Sequence, residues 1–298
     1  MNESESRFLF DMTALPLVEP DQQYTHLKTP LWTENKARFI ARYLNSFTFV
    51  TKHGTYIDAF AGPQHEDSRY DTWAVNLVMQ NKPAWLRNYY LFEKDSAQVN
   101  HLITLRDSYL ATYKDEGNRT VEVIAGDCNR TLPEFLSKNP IKEKEATFCL
   151  LDQRSTECAW DTVKCVAAHK GSNGGHKIEL FYFLAQSWMN RALKSWRKDV
   201  PNRFHRWWGK EGIKDFIALT SNERGQKIAE RFKTELGYKY ATPFPIQKRG
   251  KAGCVMFWMI HASDHPRATA LMHDAYNYVG AGGSLNTPIE HQEMLKME

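Results

Sequence analysis

The chain has little of what several function classes require. Its five cysteines are an odd number with no CxxC pair, which argues against a disulfide framework and against a zinc module of common spacing. Cys158, Cys165 and His169 match no standard metal-site spacing. Reduced cysteines and no metal are the expectation. The longest apolar run, Cys254 to Ile260, falls far short of the ~20 residues a membrane helix needs. Residues 1–20 show no basic segment ahead of an apolar stretch, so a cytoplasmic location without a secretory leader is predicted. Repeats and low-complexity tracts are absent from the sequence. A net charge of +4 is too small to point to a nucleic-acid partner by itself.

What is there reads as a folded α/β protein. Hydrophobic residues make up 42% and charged residues 25%, close to globular averages, so a packed core is expected. At 298 residues the chain exceeds the usual ~100–200 per domain, yet α/β folds run to ~250 around a single sheet. One large domain over 31–280 is predicted, with an N-terminal arm at 1–30, a helical insertion at 185–213 and a tail at 281–298. The stretch "TENKARFIARYL" begins with Thr33 as N-cap and carries Phe39, Ile40, Tyr43 and Leu44 at helical spacing. Five apolar segments follow: "TYIDAF", "NYYLFEKD", "TVEVIAGD", "ATFCLLD" and "KIELFYFL". They alternate with segments of helical spacing, the signature of a parallel sheet with crossover helices. Two late segments, 238–246 and 253–262, flank the turn-like "QKRGKAG" and predict a hairpin at the sheet edge. The expected architecture is a Rossmann-like, mostly parallel seven-stranded sheet with that antiparallel pair.

The first four segments each end near an acid: Asp58, Glu93, Asp127 and Asp152. In an open parallel sheet these would stand on the carboxyl edge, where ligands collect. Four carboxylates on one rim suit a ligand rich in donors and repel a nucleotide phosphate. A cofactor carrying an ammonium, ribose hydroxyls and an adenine amine meets that condition, which predicts S-adenosylmethionine. In the turn "DAFAGP", Asp58 would bind the amine, and Gly62, in the same turn as Phe60 and Pro63, would let backbone approach the ligand. Glu93 would hold the ribose hydroxyls, as a second-strand acid does for dinucleotides. Asp127 would accept from the adenine amine while the backbone at Cys128 meets the ring edge. For any one of these acids, capping a helix or closing a turn is an equally good reading.

The blocks "LWTENKARFIARYLNSF", "YIDAFAGP", "YYLFEKD", "AGDCN" and "WMIHASDHPRATALMHDAY" together resemble the three-Cys-motif partner protein family (TcmP), a methyltransferase group. The likeness runs from about Trp32 to Tyr278. More distantly the chain looks like RlmJ-type adenine-N6 methyltransferases of ribosomal RNA. The resemblance implies a class I methyltransferase fold, Lys36 within reach of the cofactor carboxylate, and a three-Cys-motif protein as a partner. Two departures matter. The family turn "AGPG" reads "AGPQ" here, with Gln64 in place of a glycine. The loop after the fourth strand reads "DQRS", so Asp152 is kept while the proline and aromatic ring of adenine-N6 enzymes are missing. Asp152 then admits three readings: acceptor or general base for another nucleophile, with Arg154 orienting an anionic group; a non-catalytic loop; or a site whose missing parts come from Trp188 or His265.

Residues 187–210 carry Arg191, Lys194, Arg197, Lys198, Arg203, Arg206 and Lys210 against a single acid, Asp199, and interleave five aromatic rings. Cations alternating with rings suit single-stranded or flipped nucleotides. Trp188 and Trp196 recur at a spacing that suits a buried stripe. Trp207 and Trp208 are adjacent, so one of them is expected to meet substrate or the mobile part of a lid. The leading expectation is methyl transfer to a base nitrogen of RNA or DNA. Two rivals are a catalytically inactive methyltransferase-fold adaptor that docks nucleic acid or a protein, and a methyltransferase acting on a small molecule or protein.

Overall fold

The computed structural model describes residues 31–63, 72–113, 119–172, 174–195, 200–209, 211–248 and 254–283. The predicted arm, most of the tail, Gln64, Trp196, Arg197, Lys198 and Lys210 lie outside them. Among the described residues, eight strands form one sheet: β1 (Leu31–Trp32), β2 (Gly54–Asp58), β3 (Leu86–Glu93), β4 (Thr120–Ala125), β5 (Thr147–Leu151), β6 (Glu179–Leu184), β7 (Tyr240–Gln247) and β8 (Val255–Ser263). Their order across the sheet is β1-β7-β8-β6-β5-β2-β3-β4. Pairs β2/β3, β3/β4, β2/β5 and β5/β6 are parallel, while β8 runs antiparallel between β6 and β7. This is the Rossmann-like architecture the sequence predicts, with one addition. The two-residue β1 pairs parallel with Ile246 and Gln247 at the end of β7, covering what would otherwise be the sheet's edge only beyond Pro243 and Pro245. Such a strand is too short to leave a periodic signal.

Helices cover both faces. On one side α1 (Lys36–Thr51), α2 (Ala74–Met79), α3 (Ser96–Thr112) and α10 (Ala268–Gly280) bury Phe39, Tyr43, Val78, Leu102 and Tyr276. On the other, α4 (Cys128–Lys138), α5 (Trp160–Ala168), α6 (Gln186–Ser195), α7 (Asn202–Trp208), α8 (Ile213–Ala218) and α9 (Ser221–Thr234) bury Leu132, Val163, Met189, Phe204, Phe216 and Phe232. Every residue of β2, β5 and β6 is buried, which explains their nearly continuous apolar runs. Helix α9 opens with a capping box: the Thr220 side chain accepts from the Glu223 amide, and Glu223 reaches back to the Thr220 amide.

The segment read as a basic insertion is partly core. Trp207 and Trp208 are only 1% and 2% exposed, which corrects the expectation that one of them meets substrate. Helix α7 is a short wedge with neighbours on more than one side, so adjacent rings can both be covered. Trp207 donates from Nε1 to the Tyr182 hydroxyl, and Trp208 donates to the Glu211 carbonyl at 3.1 Å. The Arg231 guanidinium lies between the Trp160 and Trp208 rings, 3.8 and 4.2 Å from their centroids.

Candidate functional site

The register of the parallel strands brings the sequence-predicted acids to one edge. Asp58, the last residue of β2, lies opposite Leu91 of β3 and Leu150 of β5. Asp152 follows β5, Glu93 ends β3 opposite Ala125 of β4, and Asp127 precedes α4. The strand order reverses between β2 and β5, so the cleft sits at the topological switch point of the sheet. It has two lobes. One, of about 190 Å³, is lined by Lys36, Asp58, Gly62, Gln98, Asp152 and Arg154 among others. The second, of about 280 Å³, is lined by Gly126, Asp127, Cys128, Thr156, Arg203 and Arg206 among others. Phe60, Glu93, Lys94 and Glu157 belong to both.

Each acid has its own environment. Asp58 is buried, accepting from the Tyr56 hydroxyl at 2.7 Å and the Phe60 amide at 3.0 Å. Burial pushes its carboxyl up to about 7; the nearby Asp152 and Glu93 charges push the same way, and the two hydrogen bonds oppose them. Glu93 is oriented by backbone: Oε1 accepts from the Lys94 and Asp95 amides at 2.8 and 2.9 Å, and Oε2 accepts from the Gly62 amide at 3.0 Å. Gly62 has a steric reason to be glycine, because a Cβ there would collide with the Glu93 carboxylate and the Gln98 side chain. Asp127 caps α4, accepting from the Asn129 amide and side chain, both at 2.9 Å. The helix-capping reading therefore holds for this residue, which also lines the second lobe beside buried Cys128.

Asp152 is held by Lys36, whose ammonium lies 2.7 Å from Oδ1, the two side chains being 7% and 10% exposed. The same ammonium sits over the Phe183 and Phe257 rings at 4.9 and 4.7 Å. Lys36 thus lines the cleft with its charge directed at Asp152, whereas the resemblance implies a reach to the cofactor carboxylate. Arg154 reaches back across the mouth, donating from Nη2 to the Pro63 carbonyl at 2.9 Å. His265 follows antiparallel β8 and borders a cavity with Thr147 and Glu179, the first residues of β5 and β6. It is therefore at the opposite edge of the sheet from Asp152, which corrects the idea that it rebuilds that loop. Trp188 stacks on Phe204 at 5.7 Å, and the Arg203 guanidinium lies over the Trp188 ring, 4.9 Å from its centroid.

Sequence reasoning missed Glu157 and its contacts. Glu157 accepts from Lys94 at 2.7 Å and from the Arg154 amide at 3.2 Å, and its carbonyl accepts from Asn129 at 2.8 Å. These contacts tie the β3, β4 and β5 loops together between the lobes. No local pattern signals an ion pair 63 residues apart. Trp73 was missed for the same reason; it donates from Nε1 to the Ala61 carbonyl at 2.7 Å and so holds the turn after β2. Among the described residues there is no cluster of three or more metal-ligating side chains, and no helix long and apolar enough to cross a membrane.

No family model matches the chain, and no curated protein matches it either. Among solved structures, the selenomethionine-substituted CurJ carbon methyltransferase is similar, with a TM-score of 0.38 and 10% sequence identity. The likeness covers 72% of this chain and 49% of that one, so the chain spans about half the length of that protein. The functional reading rests on the residues of the cleft.

Proposed function

We propose that the chain is an S-adenosylmethionine-dependent methyltransferase acting on a base nitrogen of a nucleic acid. The observation that carries this reading is the convergence of Asp58, Glu93, Asp127 and Asp152 on a cleft at the switch point, beside a glycine where a Cβ would press on the Glu93 and Gln98 side chains. The donor set suits that cofactor: carboxylates accept from an ammonium, from hydroxyls and from an exocyclic amine, and they disfavour a phosphate. When bound, the cofactor supplies an already activated methyl group, so positioning is the main task left to the protein. In this reading Asp58 pairs with the ammonium, Glu93 accepts from the ribose hydroxyls, and Asp127 with the Cys128 backbone meets the adenine. Asp152 orients the target amine. Arg203 and Arg206, both exposed on the second lobe, meet phosphate. The block resemblance to the three-Cys-motif partner family adds a protein partner to this proposal.

A second reading has a specific observation behind it. Asp152 is already engaged by Lys36, which favours a protein that binds the cofactor and transfers nothing. Calorimetry and methyl-labelled cofactor separate the two. The first reading expects saturable binding, weakened at least tenfold by Glu93→Ala, with label appearing in RNA or DNA and lost in Asp152→Asn. Binding with no label in RNA, DNA or protein selects the second reading. No binding at all rejects both.

A further inference from the structure

A second cavity, of about 460 Å³, opens at the other end of the sheet, where β2, β5 and β6 begin. One wall is the face of α1 that presents Tyr43, Phe47 and Val50, and Leu271 of α10 completes it. Its polar floor is Glu179 with Ser263. The Glu179 carboxylate accepts from the Tyr43 hydroxyl, from the Ser263 hydroxyl at 2.9 Å, and shares a hydrogen bond with His261 at 3.1 Å. These are three of the roughly four acceptor positions a carboxylate offers. The Glu179 side chain keeps 9% exposure, and it lines the cavity, so the remaining position is reached from there. Burial alone would raise its carboxyl, but the bonds from His261, Tyr43 and Ser263 outweigh burial and hold it below the ordinary carboxylate range.

The lysines around the cavity are directed away from its floor. Lys170 donates from Nζ to the Glu145 carbonyl. Lys177 donates from Nζ to the Ala167 carbonyl at 3.2 Å and lies 5.9 Å from the Tyr238 ring, which packs on the other face of the sheet. Lys144 is exposed at the rim. His53 is drawn to Glu145 at 3.2 Å, and burial, with the neighbouring His176, keeps His265 toward its neutral form. Apolar and aromatic walls above an anionic floor define the complement of a cation carried on an apolar body.

We propose that this cavity is a second ligand site, independent of the cleft at the carboxyl edge, for a small molecule bearing a protonated amine on an aromatic or aliphatic body, with Glu179 as its counter-charge. The amine occupies the open acceptor position of Glu179, and the body lies along Tyr43, Phe47 and Val50. The site does not depend on the methyltransferase reading, since none of its lining residues belongs to the first cleft.

The test uses the full chain near neutral pH, with phenethylamine as probe and phenethyl alcohol and phenylacetate as controls, followed by calorimetry and ligand-observed NMR. Phenethylamine is expected to bind saturably with Kd below about 1 mM, the alcohol at least tenfold more weakly, and the carboxylate not at all. Glu179→Gln should weaken amine binding at least tenfold. Because that change disturbs a buried network, Val50→Trp, which fills the cavity from a half-buried wall position, serves as the second variant and should also weaken it tenfold. Absence of saturable amine binding in the unmodified chain, binding of phenylacetate as tight as that of the amine, or amine binding unchanged by Val50→Trp would each overturn the proposal.

Discussion

Replacing Lys36 by methionine isolates the energetics of the cleft's central ion pair. The substitution keeps an unbranched side chain against the Phe183 and Phe257 rings and removes the ammonium 2.7 Å from Asp152. At 7% and 10% exposure, neither member has bulk water as a ready substitute. Removing one partner of such a pair costs about 3–5 kcal/mol, because the other charge stays buried. Loss of the cation over two rings adds about 0.5–2 kcal/mol, partly offset by better apolar packing of the methionine. Asp152 would also be left near Asp58, whose burial already disfavours ionisation. A net destabilisation of about 3–5 kcal/mol is expected, which for a domain of this size lowers Tm by roughly 6–20 °C. Urea unfolding of Lys36→Met, Asp152→Leu and the double variant closes the thermodynamic cycle. The double variant should recover about 2 kcal/mol or more relative to the sum of the singles. If Lys36→Met costs less than about 1 kcal/mol, or the two costs simply add, the pair is not the coupled buried unit inferred from its geometry.

Asp58 gives a pH signature. Its folded carboxyl is raised from 3.8 to about 7, so between those values the folded chain holds a proton that the unfolded chain releases. Its stabilising contribution is full below about pH 4 and is lost as pH rises to about 7. Asp58→Asn should flatten that part of the stability profile in urea titrations from pH 5 to 8; an unchanged slope would show that another group is responsible. Trp208→Ala should destabilise by about 3–5 kcal/mol, as expected for a large ring removed from a core, and a loss below about 1 kcal/mol in thermal unfolding would restore the view of Trp208 as a surface platform.

The parts legible in the sequence were those written in local pattern. Buried parallel strands announce themselves as short apolar runs, and an acid at the end of such a run must stand at the carboxyl edge, so the positions of Asp58, Glu93 and Asp152 followed directly. Helix α9 carried its own signal in "TSNE", the capping box at 220–223, which the sequence reading passed over. What could not be read were relations across distance. Lys36 meets Asp152 over 116 positions, and Lys94 meets Glu157 over 63. The tryptophans of α7 illustrate a different limit: a basic, aromatic composition looks the same whether the rings face solvent or, as with Trp207 and Trp208, the cations alone do. Only the neighbours supplied by α8 and α9 decide between them.

The outer strand β7 has a bearing on how molecules of this chain meet one another. Before the two positions covered by β1, that strand carries Pro243 and Pro245, both buried, and neither has an amide hydrogen to offer an incoming strand. At the far border, β4 carries exposed Glu122, whose charge would be repeated against itself in an antiparallel copy. Both borders therefore discourage the sheet from growing between molecules into fibrils, even though its interior strands are as apolar as any aggregating segment.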